Sequence, residues 1–278
     1  MSVTIDAHHH LWRYTTEDYG WIDDTMSAIR RDFIPEDISA AMVEAGIDGA
    51  VAVQARQSLE ETRWLLDLAE NSDEIRGVVG WAPLASEDFV AVMGEFADRK
   101  KLRGLRHILQ GEADGYMLGH QFNAGVDCLQ GLDLVYDVLV YERQLAEAIQ
   151  FVDRHPQQIF VLDHIAKPRI RDGALEPWAA QMRELGRRSN VWCKVSGLVT
   201  EANWESWTST ELKPYLDVVV EAFGPARLMA GSDWPVCLLA SSYSRWFAVL
   251  KEYFAAFSRD EQQSVFGATA AQVYKLSL

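Results

Sequence analysis

Eight short runs of β-branched and apolar residues recur along the chain, and each gap between them is long enough for a helix. The runs are Val3–Ala7, Gly49–Gln54, Gly77–Trp81, Leu102–Ile108, Leu132–Val140, Ile159–His164, Val191–Val195 and Arg227–Ala230. Strands and helices that alternate from end to end are typical of a parallel sheet covered by helices. Eight such units in 278 residues predict a closed (β/α)8 barrel, a fold that takes about 250 residues.

Apolar residues at helical spacing occupy several of the gaps. One set follows Pro35 and stops at Gly46, a second stops before His155, and a third stops before Gly224. Proline favours the first turn of a helix and glycine its end. An open doubly wound sheet is the alternative, but it usually carries a glycine-rich turn after its first strand, and this sequence has none. We therefore expect an α/β protein with one (β/α)8 barrel domain over residues 1–278.

Composition limits the partners and the compartment. Lys and Arg number 26 against 41 Asp and Glu, a formal charge of −15, which repels nucleic-acid phosphates and anionic lipid. The three cysteines form no C-x-x-C pair, and no apolar run approaches the roughly 20 residues that span a bilayer. The first residues lack the features of a secretory signal. We expect a cytoplasmic protein that binds neither nucleic acid nor membrane.

The first predicted strand runs directly into a histidine triplet, His8-His9-His10, preceded by Asp6 and Ala7. Alternate strand residues share a face, so Asp6, His8 and His10 are expected to point one way and His9 the other. Two imidazoles about 6.6 Å apart along a strand can converge on one divalent ion or on one substrate oxygen. They stand at the carboxyl end of a barrel strand, where barrel enzymes keep their active sites.

Two further candidates end later strands. His164 ends the sixth run and Asp233 follows the eighth. A lone histidine there is usually structural, and a lone aspartate often caps the next helix. In a closed barrel, however, both meet His8 and His10 at one rim. This mixture of imidazoles and a carboxylate predicts a metal site or a hydrolytic acid–base site, so these four residues are our candidates for both catalysis and metal binding.

Several motifs in a fixed order resemble the sugar-lactonase branch of the amidohydrolase superfamily, which includes L-fuconolactonases and L-rhamnonolactonases. The 2-pyrone-4,6-dicarboxylate lactonases are more distant relatives. The motifs are Asp6-Ala7-His8-His9-His10-Leu11-Trp12, Gly104-Leu105-Arg106-His107, Leu162-Asp163-His164-Ile165-Ala166-Lys167-Pro168, Lys194-Val195-Ser196-Gly197-Leu198, Gly231-Ser232-Asp233-Trp234-Pro235 and the closing Gly267-Ala268-Thr269-Ala270-Ala271. The resemblance implies an amidohydrolase-type TIM barrel and a hydrolase.

The sequence departs from the binuclear members of that superfamily, which place a carboxylated lysine on strand four. Here strand four ends in Arg106 and His107, and strand five carries Asp137 without a histidine. The bridging lysine is therefore missing. We expect zero or one divalent ion, with zinc the metal that three histidines and a carboxylate suit best. Because three imidazoles can also donate hydrogen bonds to a carbonyl, we expect activity to survive chelation in part.

Polar and aromatic residues near the strand ends are candidates for substrate binding. Gln54 ends strand two. Arg106 and His107 are adjacent on strand four, so only one of them needs to face inward. Trp21 and Trp234 lie in loops after strands one and eight. Aromatic faces suit the apolar face of a sugar ring, and polar side chains suit its hydroxyls.

The resemblance implies hydrolysis of a sugar-acid lactone such as L-fuconolactone. Asp233 would deprotonate a water, and His8, His10 and His164, or an ion they hold, would polarise the carbonyl. Few arginines are placed at the rim, so a neutral aldonolactone is favoured over a dicarboxylate. One alternative is a metal-dependent decarboxylase or amidase of the same superfamily. Another is a sugar-acid binder without activity, which would not need a general base.

Overall fold

The computed structural model describes residues 3–277, and its centre is one sheet of eight parallel strands. They are β1 (Ile5–His9), β2 (Gly49–Val53), β3 (Ile75–Gly80), β4 (Leu102–His107), β5 (Val135–Val138), β6 (Phe160–Leu162), β7 (Val191–Val195) and β8 (Leu228–Ala230). Each strand pairs with the next along the chain. Residues that follow β8 close the ring against β1: the amide of His10 donates to the Trp234 carbonyl, 2.6 Å, and the amide of Asp233 to that of His8, 2.8 Å. The predicted (β/α)8 barrel is confirmed.

Helices follow the strands and form the outer layer. They are α1 (Pro35–Ala45), α2 (Leu59–Glu70), α3 (Phe89–Gly94), α4 (His120–Leu129), α5 (Leu145–Arg154), α6 (Trp178–Leu185), α7 (Leu198–Glu201), α8 (Ser209–Phe223), α9 (Tyr243–Phe254), α10 (Arg259–Gln263) and α11 (Thr269–Val273). The predicted signals at Pro35 and Gly46 bound α1, because Gly46 adopts the left-handed conformation that ends it.

Some strands are shorter than the sequence predicts. The run Leu132–Val140 contributes only Val135–Val138, and the run Ile159–His164 only Phe160–Leu162. At their ends the backbone leaves the extended conformation, since Asp133 and His164 both have positive φ, 58° and 52°. Apolar residues indicate which segments are buried. The backbone dihedral angles at the ends of those segments determine where strand pairing stops.

Two apolar layers hold the barrel together. Side chains inside the ring, among them Ile5, Val51 and Val161, pack on a C-terminal segment that includes Val273 and Tyr274. The larger layer fills the space between the strands and the surrounding helices. The C-terminal segment packs against the amino end of the ring. Among residues 3–277, no helix is both long enough and apolar enough to cross a membrane.

The close approach of α4 to the chain after β3 yields a test of this packing. A β-carbon added at Gly125 would lie 2.0 Å from the carbonyl oxygen of Leu84, which is backbone and cannot swing away. We expect Gly125→Ala to lower the free energy of unfolding by about 1–3 kcal/mol, the usual cost of overpacking. Gly94 is the matched control, because a β-carbon there meets no atom within 4 Å. Urea denaturation of both variants measures the difference, and equal stabilities would contradict the packing described.

Candidate active site

The carboxyl end of the barrel opens into a cavity of about 490 Å³. Polar and aromatic side chains from the loops after most strands line it. They include His10, Trp21, Arg106, Tyr141, His164, Lys167, Glu201, Trp204 and Asp233. The position agrees with the rim at which barrel enzymes place their active sites.

An irregularity in β1 determines where the side chains of His8 and His10 point. Asp6 pairs with Ala50 and His9 with Ala52, so one extra residue is inserted in β1 between these pairs. A bulge of this kind redirects a side chain without ending the strand. His8 and His10 consequently both face the interior, and their Nε2 atoms lie 3.1 Å apart.

The prediction that Asp6 shares their face is wrong, because the bulge breaks the alternation. Asp6 points away from the cavity. It accepts hydrogen bonds from the Ser232 hydroxyl at 2.6 Å and from the Tyr243 hydroxyl on α9 at 3.1 Å. Its role is to connect β1 to the segment that carries Asp233.

Asp233 lies at the point where the three histidines meet. Its Oδ1 atom is 3.4 Å from Nε2 of His10, 3.7 Å from Nε2 of His164 and 3.9 Å from Nε2 of His8. All four side chains are almost completely buried. The structure therefore brings the four predicted catalytic residues to one point, with one carboxylate oxygen facing three imidazoles.

Two of these four residues, Asp233 and His164, have unusual backbone conformations. Asp233 has φ 59°, and four consecutive residues from His164 to Lys167 have φ between 47° and 59°. Left-handed conformations cost non-glycine residues about 1–3 kcal/mol each and concentrate at functional sites. His164 is further held by Ser196, whose hydroxyl lies 2.9 Å from Nδ1. Gly197 leaves room for the ring, because a β-carbon there would lie 2.7 Å from the same nitrogen.

Burial and neighbouring charges set the protonation states. Burial lowers the pKa of His164 to about 4 and lowers those of His8 and His10 below their ordinary value. Burial alone would raise the pKa of Asp233, but His164 and His10 outweigh it and lower that pKa. At neutral pH the site therefore combines an ionised carboxylate with neutral imidazoles.

Hydrogen-bond partners indicate which ring nitrogens carry protons. Nδ1 of His10 faces the Val53 carbonyl at 2.7 Å, and a carbonyl only accepts, so Nε2 of His10 has the free lone pair. Nδ1 of His8 faces the Lys194 ammonium at 3.2 Å, which only donates. The proton of His8 therefore lies on Nε2 and is donated to His10. A weaker contact of Nδ1 with Asp163, 3.4 Å, favours the other tautomer.

A group of buried charges beneath the cavity was not predicted as part of the site. The Lys194 ammonium forms ion pairs with Asp137 and Asp163. Asp163 also accepts from Arg106 Nη1 at 2.9 Å. The signal was present in the sequence, since Asp137 and Lys194 interrupt apolar strands and charges in such strands need opposite charges nearby. Spacing alone could not pair them, because they stand on different strands.

The predicted substrate-binding residues divide into two groups. Arg106 and Trp21 line the cavity. His107 faces outward, with Nε2 2.7 Å from Glu112 and its ring stacked on Tyr116, because adjacent residues of β4 point to opposite sides. Its predicted contact with substrate is therefore wrong.

Gln54 and Trp234 also lie outside the cavity lining, in contrast to the prediction. Gln54 is fully buried and donates through Nε2 to the Arg106 carbonyl at 3.1 Å, so it supports Arg106. Trp234 is 3% exposed and its ring packs edge-on against Phe33. Sequence reasoning missed Tyr141, Lys167, Glu201 and Trp204 as lining residues, because loop conformation decides which of their side chains reach inward.

The donor set fits one divalent ion. Nε2 of His8, Nε2 of His10 and Oδ1 of Asp233 form a compact group, and 3.1 Å between the two nitrogens matches two ligands with zinc–nitrogen bonds of about 2.0–2.1 Å. Nε2 of His10 already presents its lone pair. His8 has a free lone pair on Nε2 only in the tautomer that carries its proton on Nδ1, facing Asp163.

The fold and the site together define a (β/α)8-barrel enzyme with a histidine–aspartate centre. The chain belongs to the amidohydrolase family, whose model matches residues 5–276. The predicted resemblance and the prediction of a hydrolase are thereby confirmed.

Two curated proteins and one crystal structure illustrate how far the similarity extends along the chain. A curated L-fucono-1,5-lactonase of Burkholderia multivorans is 41% identical, over 99% of this chain and 97% of that one. Another, of Burkholderia ambifaria, is 37% identical with the same coverage. A crystal structure of an amidohydrolase from Burkholderia multivorans with bound zinc is 42% identical, with a TM-score of 0.96 over 99% of this chain and 100% of that one.

The buried charges lead to a stability prediction. Lys194→Met removes the cation that compensates Asp137 and Asp163, and breaking a buried pair in this way costs about 3–5 kcal/mol. We expect that loss in the free energy of unfolding, measured with urea. The double variant Lys194→Met/Asp137→Asn should recover part of it, because one uncompensated charge is gone. A Lys194→Met variant as stable as the wild type would show that Lys194 does not compensate these two carboxylates.

Proposed function

We propose that the protein hydrolyses a neutral sugar-acid lactone, with L-fucono-1,5-lactone the first candidate, to the open-chain acid. The observation that carries the proposal is one ionised carboxylate, Asp233, facing three neutral imidazoles. Two of these, His10 and His164, line the cavity together with Asp233. A cavity of about 490 Å³ lies within the usual range for small ligands. The two curated lactonases, similar along their whole length, support the same substrate class.

Asp233 supplies the base. Its carboxylate takes a proton from a water molecule as the water oxygen bonds to the lactone carbonyl carbon. When the bond between that carbon and the ring oxygen breaks, the protonated carboxyl returns the proton to the leaving oxygen. The left-handed backbone at Asp233 holds Oδ1 towards the three histidines and so fixes where the water is activated.

The carbonyl oxygen needs hydrogen-bond donors where its negative charge develops. His164 donates through Nε2 when Nδ1 accepts from Ser196, 2.9 Å away. Arg106 provides a second donor. Its Nη atoms are bound to Asp163 and the Gln54 carbonyl, whereas Nε has no partner within residues 3–277. A divalent ion bound to His8, His10 and Asp233 would supply Lewis-acid polarisation of the same carbonyl.

The charges of the cavity favour a neutral substrate. Arg106 is already paired with Asp163. Two further arginines that follow barrel strands are engaged elsewhere, Arg56 after β2 with Asp18 and Arg169 after β6 with Glu142. Lys167 is thus the one cation of the lining that has no ion pair among the described residues. A dianionic pyrone dicarboxylate would lack a second anchor and would meet the field of a strongly acidic protein.

Two other functions remain as outcomes to test. A metal-dependent decarboxylase or amidase would use the same residues, and a binder without activity would bind the lactone but not open it. A pH-indicator assay with aldonolactones, pyrone dicarboxylates, amides and aromatic carboxylates separates them. We expect turnover of a narrow stereochemical set of neutral aldonolactones. Faster turnover of any dicarboxylate lactone, amide or carboxylate would overturn the proposal, as would binding of aldonolactones without turnover.

Replacement of Asp233 tests the base. Asp233→Asn keeps the size of the side chain but cannot accept the proton of water, so kcat should fall by about 10² to 10⁴. Because the pKa of Asp233 is lowered, wild-type activity should decline on the acid side only as the pH falls through that low value. Steady-state kinetics and circular dichroism provide the measurement and the folding control, and near wild-type kcat in a folded variant would remove Asp233 from the mechanism.

Metal content is the second test of the site. We expect zero or one ion per chain after incubation with zinc, measured by elemental analysis. His10→Ala should bind less zinc, because it removes one of three clustered donors. Activity should survive chelation in part, since imidazoles and Arg106 still donate to the carbonyl. Two ions per chain, or a complete loss of activity that zinc restores, would contradict these expectations.

A further inference from the structure

We propose that Glu201 and Lys167 recognise the hydroxyl groups of the substrate and so determine which lactones the enzyme accepts. The inference rests on the proposed function and assigns two residues on one side of the cavity to specificity. Lys167 follows β6, and Glu201 is the last residue of α7, which follows β7. Both line the cavity that contains Asp233.

Glu201 presents a carboxylate that nothing in the described part of the chain satisfies. It has no hydrogen bond and no ion pair there, although most of its surface is buried in the cavity wall. Burial accordingly raises its pKa, and Lys167 opposes this shift. Glu201 is only partly buried, and its carboxylate oxygens stay accessible at the cavity wall. They are therefore available to a ligand that donates hydrogen bonds to them.

Lys167 is held in place but also lacks a partner for its charge. Its backbone is left-handed, with φ 47°, and its amide donates to the His164 carbonyl at 2.8 Å. Its ammonium lies 5.6 Å from the centre of the Tyr141 ring. Within residues 3–277 no carboxylate lies within ion-pair distance of it. The ammonium is therefore available as a donor, and it is near enough to Glu201 to act on the pKa of that carboxylate.

A hydroxyl group is the ligand that fits both, because it accepts from an ammonium and donates to a carboxylate. Neighbouring hydroxyls on a sugar ring would satisfy the two charges together. Trp21 and Trp204 also line the cavity and offer aromatic faces to the apolar face of the ring. A lactone without hydroxyls would leave both charged groups unpaired, and a site discriminates strongly against a ligand that leaves its hydrogen-bonding groups without partners.

The kinetic test compares a hydroxylated with an unsubstituted six-membered lactone. The ratio of kcat/KM for L-fucono-1,5-lactone to kcat/KM for δ-valerolactone should fall at least about tenfold in Glu201→Gln, because a hydrogen bond to a charged group is lost. Lys167→Gln should lower the ratio in the same direction. Glu205→Gln is the matched control, since Glu205 is exposed four residues further along, and it should keep the wild-type ratio.

Equal losses on both lactones would overturn the inference, because they would make Glu201 part of the reaction or of the fold. A binding experiment separates this failure from failure of the proposed function. A polyhydroxylated 1,5-lactam resists hydrolysis, and tryptophan fluorescence can follow its binding because two tryptophans line the cavity. We expect the wild type to bind it more tightly than δ-valerolactam, and Glu201→Gln to lose that preference.

Preference for the hydroxylated lactam without turnover of any lactone would uphold the inference and remove the proposed function. Equal affinity of the wild type for both lactams would remove the inference, even if lactones were hydrolysed.

Discussion

The ammonium of Lys194, fully buried inside the barrel, is the interaction on which the rest of the site depends. It lies between Asp137 and Asp163 and contacts Nδ1 of His8 at 3.2 Å. Asp163 in turn holds Arg106 at 2.9 Å. A buried charge is tolerated only when it is paired, so the positions of these groups are coupled. Lys194 thereby helps to orient His8 and, through Asp163, the guanidinium of Arg106.

Backbone conformation provides the second level of organisation. His164 follows the end of β6 and Asp233 follows the end of β8, and both residues adopt left-handed backbone conformations. Such conformations persist only where the surrounding structure imposes them. Asp6 accepts hydrogen bonds from the amide and the hydroxyl of Ser232, the residue before Asp233. The hydroxyl of Ser196 is hydrogen-bonded to Nδ1 of His164. The rigid barrel thereby fixes the reacting groups before substrate arrives.

Much of this could be predicted from the sequence, because the repeat of apolar runs and helical gaps is a property of neighbours along the chain. The barrel and the grouping of His8, His10, His164 and Asp233 follow from it. The orientation of Asp6 could not be predicted, since a single inserted residue in β1 reverses it. The roles of Gln54, Trp234 and Glu201 depend on loop geometry and on contacts between distant strands, which leave no local pattern. The cytoplasmic location and the single domain over residues 1–278 stay predictions.

In the proposed mechanism a lactone reacts at the point where Asp233 faces the three histidines. A crystal structure with a polyhydroxylated 1,5-lactam bound is the sharpest test of that position. We expect the amide carbonyl within hydrogen-bond distance of His164 or Arg106, the amide carbon facing Asp233, and hydroxyls on Glu201 and Lys167. A lactam whose carbonyl points away from Asp233, with that carboxylate contacting neither the ligand nor a water beside its carbonyl carbon, would rule this mechanism out.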